Sequence, residues 1–302
     1  MLIYWSLIKG PISLMNACTA FLGYSAGLYL QGGIAFGSDL RYGIFIFFAI
    51  FVFSGAAAIL NNYQDRHIDS QIRRTCHRPI PLGLVSPDRV LFLAIFQIVI
   101  SIIGLAVVST SMSVCILSFA ALLLYNGLYT PLKKKTLLAF IPGLFSGSLP
   151  PIIGWVASGG PISLPVFSYI GAVLILWQIP HYWLLLLSDS EDPAERILPS
   201  FYSYFSRKKL ADLTIAWIVS YSLIILLMPL FLFKKLDSLV SIAALLAIVS
   251  LYILSLVTVS FYFLRGRGTA TREKSAFIAF NIFSLLFFLS LSGYFYADTY
   301  LI

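Results

Sequence analysis

The stretch YGIFIFFAIFVFSGAAAILNNYQDRHID, residues 42–69, passes from an apolar run into a polar segment within a few positions. Residues 42–60 are apolar almost throughout, and a helix that crosses a bilayer needs about 20 such residues. Polar residues then follow at a fixed interval, with Asn61, Asp65 and Asp69 each four positions apart. The stretch therefore predicts a membrane-spanning helix that ends in a polar face.

The rest of the chain is similarly apolar. Of its 302 residues, 60% are hydrophobic and 11% are charged, whereas soluble domains carry roughly a quarter charged residues. The apolar residues form long continuous runs, unlike the alternating pattern of a transmembrane β-barrel. The three cysteines include no C-x-x-C pair, which argues against a disulfide framework or a zinc site. We therefore predict one all-α integral membrane domain over residues 1–302.

Nine runs along the chain are predicted to span the membrane as helices, because each is apolar and of sufficient length. They cover residues 11–30, 42–60, 90–108, 112–130, 137–157, 163–187, 211–232, 238–264 and 275–296.

Lys and Arg are distributed unequally between the two ends of these helices. If the helices alternate in direction, only Arg41, Lys234 and Lys235 fall on one side, and the other 17 of the 20 basic residues fall on the opposite side. The positive-inside rule makes the basic side cytoplasmic. We expect the N-terminus inside and the C-terminus outside, in a bacterial inner (plasma) membrane. This placement also explains the net charge of +8 without a nucleic-acid partner.

The acidic residues after the second span need a separate explanation. Asn61, Asp65 and Asp69 share one helix face, because positions i, i+4 and i+8 stay within about 80° of one another. Their carboxylate and amide oxygens suit Mg²⁺, which commonly binds one or two carboxylates together with substrate phosphates. The spacing alone fits a solvated helix end equally well.

Further charged loops on the same predicted side favour the metal site. Arg73, Arg74 and Arg78 follow the acidic face, and arginine suits bidentate contacts with phosphate. The loop SDSEDPAE, residues 188–195, adds a second acidic cluster, and LKKK, residues 132–135, adds cations. Together they predict a substrate with a diphosphate head at the membrane surface and an apolar tail among the helices.

With these residues the chain resembles the UbiA superfamily of membrane prenyltransferases, and within it the protoheme IX farnesyltransferases (haem O synthases). Three blocks carry the resemblance, which extends over nearly the whole chain: NNYQDRHIDSQIRRTCHRPIPLGLVS (residues 61–86), YTPLKKKTLLAFIPGLFSGSLPPIIGW (129–155) and LWQIPHYW (176–183). The chain differs from the family motif at His67, where an Asp is usual, and in a shorter loop after the sixth span.

The resemblance implies a UbiA-type bundle of nine helices around a central cavity, with Mg²⁺ as the cofactor. Asp65, Asp69 and Asp192 are implied as catalytic residues. The implied metal ligands are Asn61, Asp65, Asp69, Asp189 and Asp192. Counting from His181 places Asp192 at the second acidic position, whereas counting back from Pro199 places Asp189 there, and we prefer Asp192.

The implied substrate-binding residues are Asn61, Arg74, Arg78, Lys134 and His181. His181 has two interpretations. Its imidazole is either a ligand or orienting group for haem iron, which often takes a His ligand, or a hydrogen-bonded residue within the helix bundle.

The implied reaction transfers the farnesyl group of farnesyl diphosphate to a vinyl group of protoheme IX, with addition of water, giving haem O and diphosphate. In this reaction haem B is a substrate, not a prosthetic group. The implied partners are farnesyl diphosphate, haem B, the lipid bilayer, and a downstream haem A synthase or terminal oxidase assembly. The main alternative is a UbiA-type prenyltransferase that acts on an aromatic quinone precursor.

Two alternatives come from other classes of protein. A transporter or channel would carry acids along an intramembrane path, but the acids here gather at one surface. A purely structural membrane protein would not need the converging acidic clusters.

Overall fold

Helices form almost all of the chain in the computed structural model. The structure describes residues 2–32, 36–109, 111–162, 165–188, 197–232, 238–265 and 270–301, and no strand occurs among them. The helices are α1 (Leu2–Leu7), α2 (Gly10–Gln31), α3 (Phe36–Asp69), α4 (Pro87–Val108), α5 (Ser113–Leu122), α6 (Thr130–Leu132), α7 (Phe140–Ala157), α8 (Pro165–Ser188), α9 (Arg207–Leu226), α10 (Met228–Leu232), α11 (Leu239–Arg265) and α12 (Ala270–Leu301). The all-α prediction is confirmed.

Each of the nine predicted spans is helical over its described residues, and the largest difference between prediction and structure lies in the second span. Helix α3 has 34 residues and continues to Asp69, well beyond the predicted end at residue 60. At 1.5 Å per residue it is roughly 50 Å long, whereas the apolar core of a bilayer is about 30 Å thick. The polar segment with Asn61, Asp65 and Asp69 is therefore the last part of the same rigid helix.

Within the described residues, eight helical segments are long and apolar enough to cross a membrane. The remaining predicted span, the first in the chain at residues 11–30, forms α2, which has 22 residues and no charged side chain but is less apolar than the eight others. The reason is its content of small and polar residues, including Ser13, Thr19 and Ser25, which are all buried. Helix α2 is the most enclosed part of the bundle because it packs against α3, α7 and α12.

Two glycines show how closely α2 and α7 approach. A Cβ atom on Gly23 would lie 1.9 Å from the carbonyl oxygen of Pro151, and one on Gly154 would lie 1.9 Å from that of Ala20. Small residues at such crossings let helix backbones pack closely inside membranes. The residues that make α2 less apolar thus serve its packing.

The helices form two halves, α1–α7 and α8–α12. The halves meet where α2 packs on α12 and where α7 packs on α8. The Tyr29 hydroxyl, near the end of α2, donates a 2.6 Å hydrogen bond to Asp298 near the end of α12. These two helices therefore run in the same direction, and their first residues lie at the opposite end of the bundle.

An apolar cavity of about 40 Å³ lies between α2, α8, α10 and α12. Its lining is entirely hydrophobic and includes Leu22, Tyr169, Val173 and Phe288. It offers no group that would bind a charged substrate head, and the acids of α3 are not among its lining residues.

Candidate active site

The predicted polar face of α3 is buried in the structure. The exposed fractions of Asn61, Asp65 and Asp69 are 0%, 1% and 4%. The Asn61 side-chain amide donates a 2.9 Å hydrogen bond to Oδ2 of Asp65. A buried carboxylate requires partners of opposite charge or hydrogen-bond donors, so the surroundings of these residues determine what the site can do.

Asp65 is paired with two lysines from the segment after α6. The Lys133 ammonium donates a hydrogen bond to Oδ2 of Asp65, and the Lys134 ammonium lies 3.1 Å from Oδ1. Lys134 also donates to the backbone carbonyl of Gln64 at 2.9 Å. Two positive charges thus meet one buried carboxylate.

A π-helical turn, Leu123–Tyr129, brings these lysines to α3. Asn126 within it donates 3.0 Å hydrogen bonds to the carbonyl oxygen of Ala57 and to Oε1 of Gln64. Gln64 returns a 3.0 Å bond to the Asn126 carbonyl oxygen. Such π-helical turns are frequent at functional sites, and this one holds the following residues against the polar end of α3.

Thr130, the first residue of α6 directly after the turn, is 1% exposed. Its hydroxyl accepts a 2.9 Å hydrogen bond from Asn61 and donates one of 2.8 Å to the carbonyl oxygen of Tyr125. Asn61 is therefore fixed between Asp65 and the π-helical turn.

The loop after α3 folds back on Asp69. Nη1 of Arg78 lies 2.7 Å from Oδ2 of Asp69, and the Thr75 hydroxyl donates a 3.1 Å bond to the Asp69 carbonyl oxygen. Gly83 has a φ of +69°, which non-glycine residues rarely adopt, and Leu84 closes this turn by donating to the carbonyl oxygen of Pro79 at 2.9 Å. The loop thereby delivers one guanidinium to the acidic face.

Lys9 adds a further amino group to the site, and the sequence pattern did not predict a role for it there. It connects α1 to α2 and has a φ of 48°. Its ammonium donates a 2.6 Å hydrogen bond to Oδ1 of Asn61 and a 3.2 Å bond to the Tyr125 hydroxyl. Burial lowers the pKa of Lys9 to about 7, helped by the positive charges of Arg78 and Lys133.

Arg78, Lys133 and Lys134 come from two separate elements and outnumber the two carboxylates that they pair with. Lys9, from a third element, adds a full positive charge only below its pKa of about 7. An anion such as diphosphate would find ammonium and guanidinium donors on several sides. The site can therefore bind a multiply charged anion beside two carboxylates.

The side-chain oxygens on this face of α3 are of the chemical type that binds Mg²⁺. Asn61, Asp65 and Asp69 offer oxygen ligands. Among the residues that the structure describes, none donates a hydrogen bond to Oδ1 of Asp65, which has the Lys134 ammonium 3.1 Å away as an ion-pair partner. No group of three or more His, Cys, Asp or Glu side chains gathers for a metal in the described ranges. An ion held by two carboxylates would need oxygens from elsewhere, as when Mg²⁺ is shared with substrate phosphates.

The remaining predicted site residues have different surroundings. Arg74 is exposed on the loop after α3 and interacts electrostatically with Tyr129, the last residue of the π-helical turn. Asp189 and Asp192 lie outside the described residues. His181 belongs to α8 in the other half, where its Nδ1 lies 2.8 Å from Oδ1 of Asn281 on α12. The roles given to all these residues stay predictions.

Sequence reasoning missed Lys9, Lys133, Thr130 and Asn126. Lys133 lies in the LKKK tract, where only Lys134 was selected, and a run of adjacent lysines gives no sign of which one points inward. Asn126 did carry a signal, since a carboxamide inside an apolar span needs a partner. In the sequence, Lys9 is simply a basic residue before the first span, and nothing links it to Asn61.

The fold matches solved structures of membrane proteins. A UbiA homolog from Aeropyrum pernix K1 superposes with a TM-score of 0.72 at 18% identity, over 95% of this chain and 97% of that one. A UbiA homolog from Archaeoglobus fulgidus, solved bound to GPP and Mg²⁺, gives a TM-score of 0.67 at 15% identity, over 98% and 99% of the two chains. At these identities the likeness shows the shared fold.

Curated relatives are more similar in sequence. A protoheme IX farnesyltransferase of Nitratidesulfovibrio vulgaris is 33% identical over 192 residues, which are 61% of this chain and 63% of the relative. One from Stenotrophomonas maltophilia is 32% identical over 200 residues, which are 65% of this chain and 66% of the relative. The chain thus spans just under two thirds of the length of these relatives.

A family model gives a longer sequence match than these relatives. The model of the UbiA prenyltransferase family matches residues 19–291, which include α3, the π-helical turn and His181. Fold, sequence relatives and family model agree with the resemblance noted in the three sequence blocks, and the chain therefore belongs to the UbiA prenyltransferase family.

Proposed function

We propose that this protein is a Mg²⁺-dependent farnesyltransferase that converts protoheme IX into haem O. The observation that carries the proposal is the buried face of α3, where Asp65 and Asp69 are surrounded by Lys133, Lys134 and Arg78. This arrangement suits a prenyl diphosphate, whose charged head would meet the cations while its tail lies among the apolar helices.

Asn61, Asp65 and Asp69 would hold Mg²⁺ together with oxygens of the diphosphate. When bound, the metal would supply Lewis-acid stabilisation of the negative charge that develops on the leaving group. Lys133, Lys134 and Arg78 would exchange part of their contacts with the carboxylates for contacts with phosphate oxygens. Asp192, preferred over Asp189 as a ligand for a second ion, stays a prediction.

The proposed reaction begins at the farnesyl diphosphate. Its C1–O bond breaks, the electron pair leaves with the diphosphate, and an allylic cation remains. The π electrons of a haem vinyl group form a new C–C bond to C1, which moves the positive charge onto the carbon beside the porphyrin. Water adds there and loses a proton, giving the hydroxyethylfarnesyl group. Buried cations stabilise the diphosphate as it leaves, and the surrounding helices limit the access of water to the allylic cation.

The choice of haem as acceptor has two supports. The curated relatives quoted above are named protoheme IX farnesyltransferases. The protein also has His181 in α8, in the helix half across from the acids, with its ring packed against Trp177. An imidazole is a common haem ligand.

The proposed orientation places the site at the cytoplasmic surface. Lys9, Arg78 and Lys133 belong to the basic side of the charge map, and all three lie at the same end of the bundle as Asp69. Water-soluble metal and diphosphate would then meet the site from the cytoplasm of a bacterial cell.

The proposal is tested by incubating the purified protein in lipid nanodiscs with haem B, farnesyl diphosphate and Mg²⁺. Mass spectrometry should show a new haem species heavier by one farnesyl group and one water. The product should disappear when EDTA is added and should be absent with Asp65→Asn.

The acceptor and the chemistry can be separated in the same assay. Prenylation of an added aromatic acid, with no change to haem, would leave prenyl transfer intact and reject haem as the acceptor. No transfer to any acceptor, with the protein folded and Mg²⁺ present, would reject the proposed activity as a whole.

A further inference from the structure

His181 forms one specific hydrogen bond in the half of the protein opposite the acids. Its Nδ1 lies 2.8 Å from Oδ1 of Asn281 on α12. Either ring nitrogen of a neutral histidine can carry the proton, and the partner of one nitrogen determines the state of the other. The orientation of the Asn281 carboxamide therefore decides the chemical state of the imidazole.

The Asn281 carboxamide is oriented by its own helix. Its Nδ2 donates a 2.6 Å hydrogen bond to the carbonyl oxygen of Phe277. A carbonyl oxygen can only accept, so the NH₂ group must point toward Phe277 and the carboxamide oxygen must face His181. An oxygen that can only accept requires a proton on Nδ1 of His181.

The imidazole ring is also fixed by aromatic neighbours. It stacks on Trp177 with 4.8 Å between ring centroids and a 29° interplanar angle, and the Phe277 ring lies 5.3 Å away. Trp177 is itself tied to α12, because its indole N–H donates a 2.8 Å bond to the Ser284 hydroxyl. These contacts restrict rotation of the ring, so the Asn281 contact persists.

The other ring nitrogen keeps its lone pair. Among the residues that the structure describes, Nδ1 of His181 has a hydrogen-bond partner and Nε2 has none. The His181 side chain is half-buried. A neutral imidazole with a proton on Nδ1 presents an unprotonated Nε2, which is the form that binds iron.

We infer that Asn281 is a positioning residue that holds His181 as the Nδ1–H tautomer, so that Nε2 can coordinate the iron of the haem acceptor. The identity of the ligand rests on the function proposed above, whereas the tautomer rests on the geometry alone. Hydrogen-bond partners of this kind orient metal-binding histidines and raise their basicity.

The tautomer can be measured without haem. The sequence has three histidines, so protein labelled with ¹⁵N-histidine in bilayers gives few imidazole signals, and His181→Gln identifies those of His181. Wild-type protein at neutral pH should show a protonated Nδ1 and an unprotonated Nε2. Asn281→Leu should lose this pattern. Asn281→Asp should keep it, because a carboxylate also accepts from Nδ1.

Ser284→Ala is the matched control. It removes another hydrogen bond between α12 and α8, the one to Trp177, and leaves the hydrogen bond between His181 and Asn281 in place. A merely structural role for Asn281 would give Asn281→Leu and Ser284→Ala the same ¹⁵N pattern and the same affinity for haem.

Titration with ferric haem B tests coordination. The wild-type complex should show the absorption spectrum of a His-ligated haem, and His181→Gln should lose it. Asn281→Leu should weaken haem binding by roughly tenfold or more. Asn281→Asp should bind haem with a more negative reduction potential, since the stronger hydrogen bond makes the imidazole a better donor.

Three results would overturn the inference: a proton on Nε2 in the wild-type protein, an unchanged tautomer in Asn281→Leu, or an unchanged haem spectrum in His181→Gln. A different pair of results would reject the proposed function alone: the wild type forms no haem O, yet His181→Gln still loses the His-ligated spectrum. The role of Asn281 would then stand. Formation of haem O with no His-ligated spectrum would reject the inference alone.

Discussion

Asp65 and Glu273 are both buried carboxylates paired with cations, yet they are held in different ways. Asp65 meets two lysines from a neighbouring segment, and within the described part of the chain its Oδ1 accepts no hydrogen bond. Glu273, with 0% of its side chain exposed, is paired with the guanidinium of Arg207 through both oxygens. Arg207 also donates to the Leu187 carbonyl oxygen, so it joins the ends of three helices.

The difference follows from the chemistry of the two cations. A planar guanidinium matches a carboxylate in a fixed fork, whereas an ammonium is a point charge on a flexible chain. In the Glu273 pair the guanidinium contacts both carboxylate oxygens, which suits a structural role. The Asp65 pairs, in the function proposed above, would exchange for a metal ion and phosphate oxygens, as a substrate site requires. Four substitutions test this contrast.

Asp65→Asn should have the largest effect on activity. A neutral amide removes one charged ligand from the proposed metal site, and metal stabilisation of a leaving group contributes several kcal/mol, so kcat/KM should fall by about 10³-fold or more. Thermal unfolding should change little, because Lys133 and Lys134 are partly exposed and can turn to water.

Asp298→Asn is the matched control at the other end of the bundle, where Asp298 pairs with Tyr29. Its turnover should stay near that of the wild type. Wild-type turnover in Asp65→Asn over a range of Mg²⁺ concentrations would show that Asp65 is no metal ligand.

Arg207→Met should have the largest effect on stability. It leaves Glu273 buried without its cation, and the expected cost is about 2–4 kcal/mol, since broken buried pairs cost several kcal/mol and Arg207 is partly exposed. Thermal unfolding in detergent would measure it. The double variant Arg207→Met with Glu273→Leu should recover most of the loss. A double variant as unstable as the single one would contradict the structural role.

Lys133→Met should raise the KM for farnesyl diphosphate by roughly tenfold, the size of one charge-assisted hydrogen bond. Lys134→Met should have a smaller effect, because that ammonium is shared with the Gln64 carbonyl oxygen. Lys135, the exposed neighbour in the same tract, provides the control, and Lys135→Met should be close to wild type. Equal effects of all three would mean that only the summed charge of the tract matters.

Lys9→Met should give the smallest of the four effects, about a few-fold in kcat/KM, because Lys9 contacts Asn61 and Tyr125 and neither of the two carboxylates. Steady-state kinetics with Lys9→Arg alongside would check this. A loss comparable with that of Asp65→Asn would place Lys9 in direct contact with the substrate.

The fold was predictable because bilayer thickness constrains the length of apolar runs. All nine predicted spans are helical, and their boundaries differ mainly where polar residues continue a helix. Helix α3 runs to Asp69 because its polar end is buried against other elements, and hydropathy along the sequence does not detect burial. The lower hydropathy of α2 similarly reflects its close packing at Gly23 and Gly154.

The site was predictable where its residues lie on one regular helix. The four-residue spacing of Asn61, Asp65 and Asp69 is by itself enough to place them on one helix face. The cations come from elements whose relative positions depend on tertiary contacts, and the choice of Lys133 over its neighbours depends on the π-helical turn. Likewise, no local pattern links His181 to Asn281, which lies 100 residues away.

The π-helical turn Leu123–Tyr129 has a consequence for helical phase. A π-helical turn contains one more residue than the α-helical path it replaces, and one residue corresponds to about 100° of rotation around a helix axis. The direction in which Thr130, Lys133 and Lys134 leave the helix is thus set by a single extra residue. Deleting one residue from this turn would keep the segment apolar and helical but rotate the two lysines away from Asp65. In this protein the register of one helix therefore determines which charges face the carboxylate.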